Sequence, residues 1–233
     1  MRMPTAAGPG GTPDGGARWP KAYNSDGRGA GGPWDLKRPF IASVSCRVAV
    51  DPRVKGIRRI IQFEPDIEFC LRPDFVRGVQ MLAEFDLTFD ICISHIHMAN
   101  TIKMVQQCPG VTFILDHIGK PDIAHGVTEP WKTQLKTLAG LPNVHCKMSG
   151  VVSEADHENW QPDDIRPYID HVFDCFGLDR IMFGGDWPPV LQAAEYEKWV
   201  STLLWAVEGL SDSQMKKLFR ENARAFYRLE PGD

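Results

Sequence analysis

The chain has 233 residues, of which 43% are hydrophobic and 24% are charged, and its formal net charge is −4. These values are ordinary for a soluble globular protein, and a negative net charge gives no electrostatic reason to expect nucleic-acid binding. No stretch approaches the roughly 18 apolar residues of a membrane helix, and the N-terminus lacks the apolar run of a secretory signal. We therefore expect a protein that binds neither nucleic acid nor membrane.

The first 38 residues differ in composition from the rest of the chain. Residues 1–39 hold nine of the 21 glycines and six of the 18 prolines. Such a segment has too little apolar surface to offset the entropy lost on ordering. We predict a disordered N-terminal segment over residues 1–38 and one folded domain over residues 39–233.

Strand-like and helix-like patterns alternate from Pro39 onward. Strands are predicted at residues 40–48, 56–63, 89–94, 111–115, 144–149 and 181–183. Helices are predicted to open at Pro73, to cover residues 99–107, to run from Trp131 to Gly140 and from Ile165 to Gly177, and to fill the tail from the capping box at Ser211 to Tyr227. The alternation predicts right-handed βαβ units and a parallel sheet, in which six strands stand where a closed (β/α)₈ barrel needs eight.

Cysteine spacing shows no metal-binding or redox motif. No two of the six cysteines lie within five residues of each other, which excludes a zinc ribbon or a redox pair. Several lie inside apolar runs and are interpreted as buried free thiols, which fit a reducing compartment such as the cytoplasm. The six are Cys46, Cys70, Cys92, Cys108, Cys146 and Cys175.

Two strand-like runs end in residues that suit a divalent metal ion. His117 follows the run at 111–115, and Asp186 follows the run at 181–183 through Gly184 and Gly185. Catalytic groups of parallel barrels lie at the carboxyl ends of the strands, and imidazole and carboxylate are ligands of divalent metals. Two other interpretations stay open, with His117 a hydrogen-bonded core histidine and Asp186 a turn or helix-capping residue.

Three further residues are candidates for substrate contact. Strand alternation sends Arg58 and Arg59 to opposite faces, so one of them can face the site while the other is a solvated rim charge. Lys147 lies within a predicted strand, where an inward lysine is costly unless it is paired. It is therefore either a functional residue or a member of a structural ion pair. Trp187 either stacks on a sugar ring or packs at the mouth of the barrel.

Six short motifs, in this order across some 190 residues, resemble the amidohydrolase-related (amidohydrolase 2) family. Within it the chain resembles the sugar-lactone branch, which includes L-fuconolactonase-like and 2-pyrone-4,6-dicarboxylate lactonase-like enzymes. The motifs are Lys55-Gly56-Ile57-Arg58, Phe63-Glu64-Pro65-Asp66, Leu71-Arg72-Pro73-Asp74-Phe75, Leu115-Asp116-His117-Ile118-Gly119-Lys120-Pro121, Cys146-Lys147-Met148-Ser149-Gly150 and Phe183-Gly184-Gly185-Asp186-Trp187-Pro188.

The resemblance implies a metal-dependent hydrolase barrel that opens a sugar-type lactone. In such a barrel an activated water attacks the carbonyl, and a divalent metal, usually zinc, is common but not universal. His117 and Asp186 match two of the family's metal ligands, and they are the predicted catalytic residues. Arg58 is the arginine chosen by the match to anchor the substrate, which would be a small lactone; a homo-oligomer stays open.

One part of the family pattern is absent. The family begins with a His-x-His strand, but residues 1–39 contain no histidine, so the barrel is expected to be incomplete, with its first strands missing through N-terminal truncation. His95 and His97 form a His-x-His in a later place. If the strand continues, both can share a face, but their position favours His95 as a substrate contact. Two other functions therefore stay open: an inactive or interaction protein, and a metal-dependent decarboxylase.

Overall fold

The structure is a computed structural model that describes residues 51–229. The predicted disordered segment over residues 1–38 and the first predicted strand, at 40–48, lie outside the described residues.

In the described part of the chain, five parallel strands form one sheet, and their order in the sheet is their order in the chain. This arrangement confirms the prediction of successive βαβ units and is consistent with part of a (β/α)₈ barrel. The strands are β1 (Gly56–Ile60), β2 (Thr88–Cys92), β3 (Phe113–Leu115), β4 (Val144–Met148) and β5 (Ile181–Phe183).

Seven α-helices accompany the sheet within residues 51–229. They are α1 (Pro73–Gln80), α2 (Met98–Gln107), α3 (Trp131–Ala139), α4 (Pro162–Phe176), α5 (Tyr196–Ala206), α6 (Asp212–Lys216) and α7 (Asn222–Tyr227). Helix α4 shows how local sequence sets the bounds: the side chains of Gln161 and Asp164 form a capping box, Pro162 takes the first helical position, and Gly177, at φ 65°, ends the helix.

The two faces of the sheet differ in chemistry. The outer face is apolar, and its residues Phe89, Ile91, Phe113 and Leu115 are fully buried. On the inner face, β1 aligns Arg58 with Asp90 of β2. Because parallel partners share a face, the register separates an apolar helix-packing surface from a charged one. The charged surface is the one that carries the candidate site.

Helix α7 covers part of the inner face. Phe226 is 7% exposed and packs with Ile114 and Met182, and its ring lies 4.9 Å from the ring of His145. The last helix of the described chain therefore contributes to the interior of the sheet.

Three details differ from the sequence-based expectation. Strand β1 ends at Ile60 and β3 begins at Phe113, so both are shorter than predicted. Helix α5 was not predicted, because exposed Leu204 and Trp205 blur its apolar stripe. The predicted tail is divided into α6, a π-helical turn at Lys217–Glu221 and α7. None of the helices within residues 51–229 is long and apolar enough to cross a membrane.

Candidate active site

His117 and Asp186 meet in one place. Nδ1 of His117 lies 3.7 Å from Oδ1 of Asp186, and the two side chains are 9% and 13% exposed. His117 comes from the turn after β3, and Asp186 from the turn after β5, so two strand ends supply the pair. The structure therefore brings together the two residues that the sequence predicts as catalytic. Their chemical roles stay predictions.

The backbone at both residues is left-handed. His117 has φ 54° and Asp186 has φ 50°, values that are uncommon for residues other than glycine. Conformations of this kind cluster at functional sites, where the surrounding structure holds them. Gly150 contributes here, because a Cβ atom at this residue would lie 2.8–2.9 Å from the His117 side chain. The glycine after β4 thus lets the imidazole lie against the backbone.

Arg58 lies on the other side of the imidazole. Its Nη2 atom is 3.3 Å from Nε2 of His117 and 3.0 Å from Sγ of Cys92, and its Nε atom is 3.1 Å from Oδ2 of Asp116. Arg59 points the other way and pairs with Glu64. The expectation that the two arginines diverge is met, but Arg59 is an ion-pair partner and not a free rim charge.

Contacts at both ring nitrogens define the protonation state and the tautomer of His117. A guanidinium group only donates hydrogen bonds, so Nε2 of His117 accepts from Arg58. The proton of the neutral ring then lies on Nδ1, which can donate to Oγ of Ser149 at 2.9 Å. Burial lowers the pKa of His117 to about 3, and the charges of Lys120, Arg58 and Lys147 act in the same direction. His117 is therefore a neutral hydrogen-bond donor near neutral pH.

Lys147 is held between two carboxylates. Its Nζ atom lies 2.6 Å from Oδ2 of Asp90 and 2.8 Å from Oδ1 of Asp116. The Tyr227 hydroxyl, from α7, donates to the same Asp90 oxygen at 2.8 Å. Burial alone would lower the pKa of Lys147, but the charges of Asp116 and Asp90 raise it above its ordinary value. This geometry favours the ion-pair interpretation, and substrate contact by Lys147 stays a prediction.

Burial raises the pKa of Asp186, against the opposing charges of Lys120 and Arg58. A carboxylate with a raised pKa is a stronger base than an exposed aspartate. Lys120 itself pairs with Glu154 at 3.5 Å. Asp186 is thus a candidate to accept a proton at this site.

The remaining predicted contacts lie around the opening. Trp187 is 68% exposed, next to Asp186 in the chain. The Nδ1 atom of His95 lies 3.0 Å from the backbone oxygen of Lys120. The strand does not continue to His95 and His97: they lie in a 3-10 turn at His95–His97, and His97 is buried beside Ser94. The condition for His95 and His97 to share a face, a continuing strand, is therefore not met.

The described residues do not fit a divalent ion while Arg58 keeps its place. His117 and Asp186 have the right donor chemistry, and a separation of 3.7 Å between their atoms would allow a shared ion. However, Nε2 of His117 accepts from Arg58, and Nδ1 carries the proton that Ser149 can accept. A neutral imidazole in this state offers no lone pair to a metal. That these two residues bind metal stays a prediction.

Several site residues were not predicted from the sequence. Asp90 could have been noticed, since a carboxylate in the apolar run Phe89–Ile93 needs a partner. Ser149 and Tyr227 carry no local signal, because their roles depend on contacts with residues 32 and 137 positions away, respectively.

Known proteins with similar sequences include sugar lactonases. The Amidohydrolase family profile matches residues 36–229. An L-fucono-1,5-lactonase of Burkholderia ambifaria is 31% identical, over 84% of this chain and 69% of that protein. A second L-fucono-1,5-lactonase, of Burkholderia multivorans, is 34% identical, over 85% of this chain and 71% of that protein.

A solved structure supports membership of the same family. An amidohydrolase from Burkholderia multivorans, crystallised with bound zinc, superimposes with a TM-score of 0.75 at 33% identity, covering 84% of this chain and 72% of that one. The profile spans most of the chain, and both the sequence and the fold agree with it. The chain therefore belongs to the amidohydrolase family, and residues 51–229 form part of its barrel.

Proposed function

We propose that this protein hydrolyses a sugar-type lactone, opening the ring to the corresponding acid. The observation that carries the proposal is the pairing of Asp186 with neutral His117 at the carboxyl ends of two barrel strands. The relatives at 31% and 34% identity are named lactonases, which favours ring opening over decarboxylation and over a role without catalysis.

Asp186 acts as the general base in this proposal. Its carboxylate takes a proton from water, and the resulting hydroxide attacks the carbonyl carbon of the lactone. The tetrahedral intermediate then breaks the bond between the carbonyl carbon and the ring oxygen. The leaving alkoxide takes the proton back from Asp186, so the carboxylate is regenerated in each turnover. His117, through its Nδ1 proton, and Ser149 orient the reacting groups.

Cationic side chains supply the electrostatic part of the mechanism. Arg58 is 45% exposed at its side chain, so it can contact substrate while it keeps its ion pair with Asp116. Positive charge near the carbonyl stabilises the oxyanion that develops in the transition state. Trp187 offers an exposed ring on which a sugar can stack, and His95 borders the opening.

Two finer parts of the proposal concern metal and location. A zinc ion, as in the Burkholderia multivorans structure, would need Arg58 to leave Nε2 of His117, and the proposed hydrolysis uses no such ion.

A cytoplasmic location is supported by five unpaired cysteines among the described residues, four of them buried. The substrate is a small lactone, and a homo-oligomer stays a prediction.

The test is hydrolysis of L-fucono-1,5-lactone and a panel of five- and six-membered sugar lactones by the purified full chain. We expect acid release by the wild-type protein, and a loss of at least about 100-fold in kcat/KM for Asp186→Asn, because the amide cannot accept the proton. The acid limb of the pH profile should lie above the ordinary pKa of an aspartate, since burial raises that of Asp186.

Asp179→Asn is the matched control. Its side chain is 77% exposed and pairs with Lys217 away from the site, so its kcat/KM should equal that of the wild type. Wild-type protein that opens none of these lactones would contradict the proposed function. Full activity in Asp186→Asn would contradict the role of the carboxylate.

A further inference from the structure

Three potential ligand atoms converge beside β1 and β2. A sulfur of Cys92, a carboxylate oxygen of Asp116 and a ring nitrogen of His117 all lie within 4.8 Å of one another, and all three residues are buried. Thiolate, carboxylate and imidazole are the ligands of zinc and related ions. This set differs from the His117 and Asp186 pair that the sequence predicts as metal ligands.

A positive charge already lies among these three groups. The guanidinium of Arg58 contacts the Cys92 sulfur at 3.0 Å, Nε2 of His117 at 3.3 Å and Oδ2 of Asp116 at 3.1 Å. Arg58 does not lie directly opposite Cys92 in the sheet, because its partner in the register is Asp90 and Ile60 is the partner of Cys92. Arg58 therefore reaches Cys92 from two residues earlier on the same face of β1. Because guanidinium only donates, its contacts use the lone pairs that a metal would need.

We propose that the Arg58 guanidinium takes the place of a metal ion among Cys92, Asp116 and His117, and that the two exclude each other. The arginine, together with Lys147, neutralises the Asp116 carboxylate, and its contact accounts for the accepting state of Nε2 of His117. A divalent ion at the same place would lie within contact distance of a fixed positive charge, in a buried site where water screens poorly. Removing the guanidinium therefore opens a latent metal site.

The experiment measures metal binding without reference to activity. Protein stripped with a chelator is titrated with Co²⁺, whose thiolate charge-transfer absorption reports ligation by Cys92 and whose d–d bands report coordination geometry. Arg58→Met removes the charge and keeps most of the side-chain volume. We expect wild-type protein to show no thiolate band, and Arg58→Met to show one and to bind Co²⁺ at least about tenfold more tightly.

Arg59→Met is the matched control. It removes the same charge from the adjacent residue, whose side chain pairs with Glu64 on the opposite face, so its Co²⁺ binding should equal that of the wild type. Adding Cys92→Ser to Arg58→Met should abolish the thiolate band. Methylguanidine should displace Co²⁺ from Arg58→Met by refilling the position of the guanidinium.

A thiolate band of equal affinity in wild-type protein would overturn the proposal, and so would an Arg58→Met protein that gains no affinity. Circular dichroism checks that each variant is folded. Should Arg58→Met fail to fold, the neutral donor variant Arg58→Gln repeats the titration with the same expected outcomes. Neither result depends on lactone hydrolysis, so this inference and the proposed function can fail separately.

Discussion

Single residues in the site combine backbone strain with burial. His117 and Asp186 have positive φ, which costs on the order of 1–3 kcal/mol for each residue, and both are largely buried. The position of His117 is maintained by contacts with Gly150, Ser149 and Arg58. The site thus lowers the stability of the fold, and the surrounding apolar core offsets this loss.

Replacing Lys147 measures how much its ion pairs with Asp90 and Asp116 stabilise the fold. We expect Lys147→Met to lower the free energy of unfolding by about 3–5 kcal/mol, because Asp90 would lose its cation and Asp116 one of two. Urea denaturation followed by circular dichroism measures the loss. Lys217→Met is the control: its ion pair with Asp179 is exposed, so the change should stay below about 1 kcal/mol. Equal losses in the two variants would contradict the buried network.

At the scale of the element, α7 links the C-terminal region to the inner face of the sheet. Phe226 packs on Ile114 and Met182, and Tyr227 reaches Asp90. The helix is only six residues long, too short to be stable by itself in water. Its stability therefore comes from these tertiary contacts.

Truncating the Phe226 side chain should reveal this dependence. We expect Phe226→Ala to lower the free energy of unfolding by about 3–5 kcal/mol, because a buried ring is replaced by a cavity between α7 and the sheet. Leu204→Ala on α5 is a suitable control, since Leu204 is 40% exposed and its truncation should cost far less. The comparison is made by thermal and urea denaturation, and a Phe226→Ala loss no larger than the control would refute the account.

At the scale of the molecule, the sequence predicts what repeats locally and misses what depends on distant contacts. Five described strands and the order of the sheet follow from apolar runs, and the family resemblance is confirmed by the profile over residues 36–229. His117 and Asp186 were found because strand ends mark the site of a parallel barrel. The Tyr227 contact with Asp90, across 137 residues, has no such local signal. The 3-10 turn that contains His95 and His97 has none either.

The core of the molecule also fixes the chemistry of its thiols. Burial raises the pKa of Cys70 and of Cys108 to about 11. Because the thiolate is the reactive form, we expect iodoacetamide at pH 8 to modify both residues roughly 100-fold more slowly in folded protein than in urea. Peptide mass spectrometry measures the two rates, and equal rates in the two states would show that these thiols are accessible and ordinary.

The bond between Tyr227 and Asp90 has a consequence for how the protein is made. A ribosome releases Asp90 long before it releases Tyr227, since 137 residues separate them. Until Tyr227 has been synthesised, the nascent sheet presents an acidic group without its hydroxyl partner. The chemistry of the inner face is therefore completed only when α7 emerges and docks.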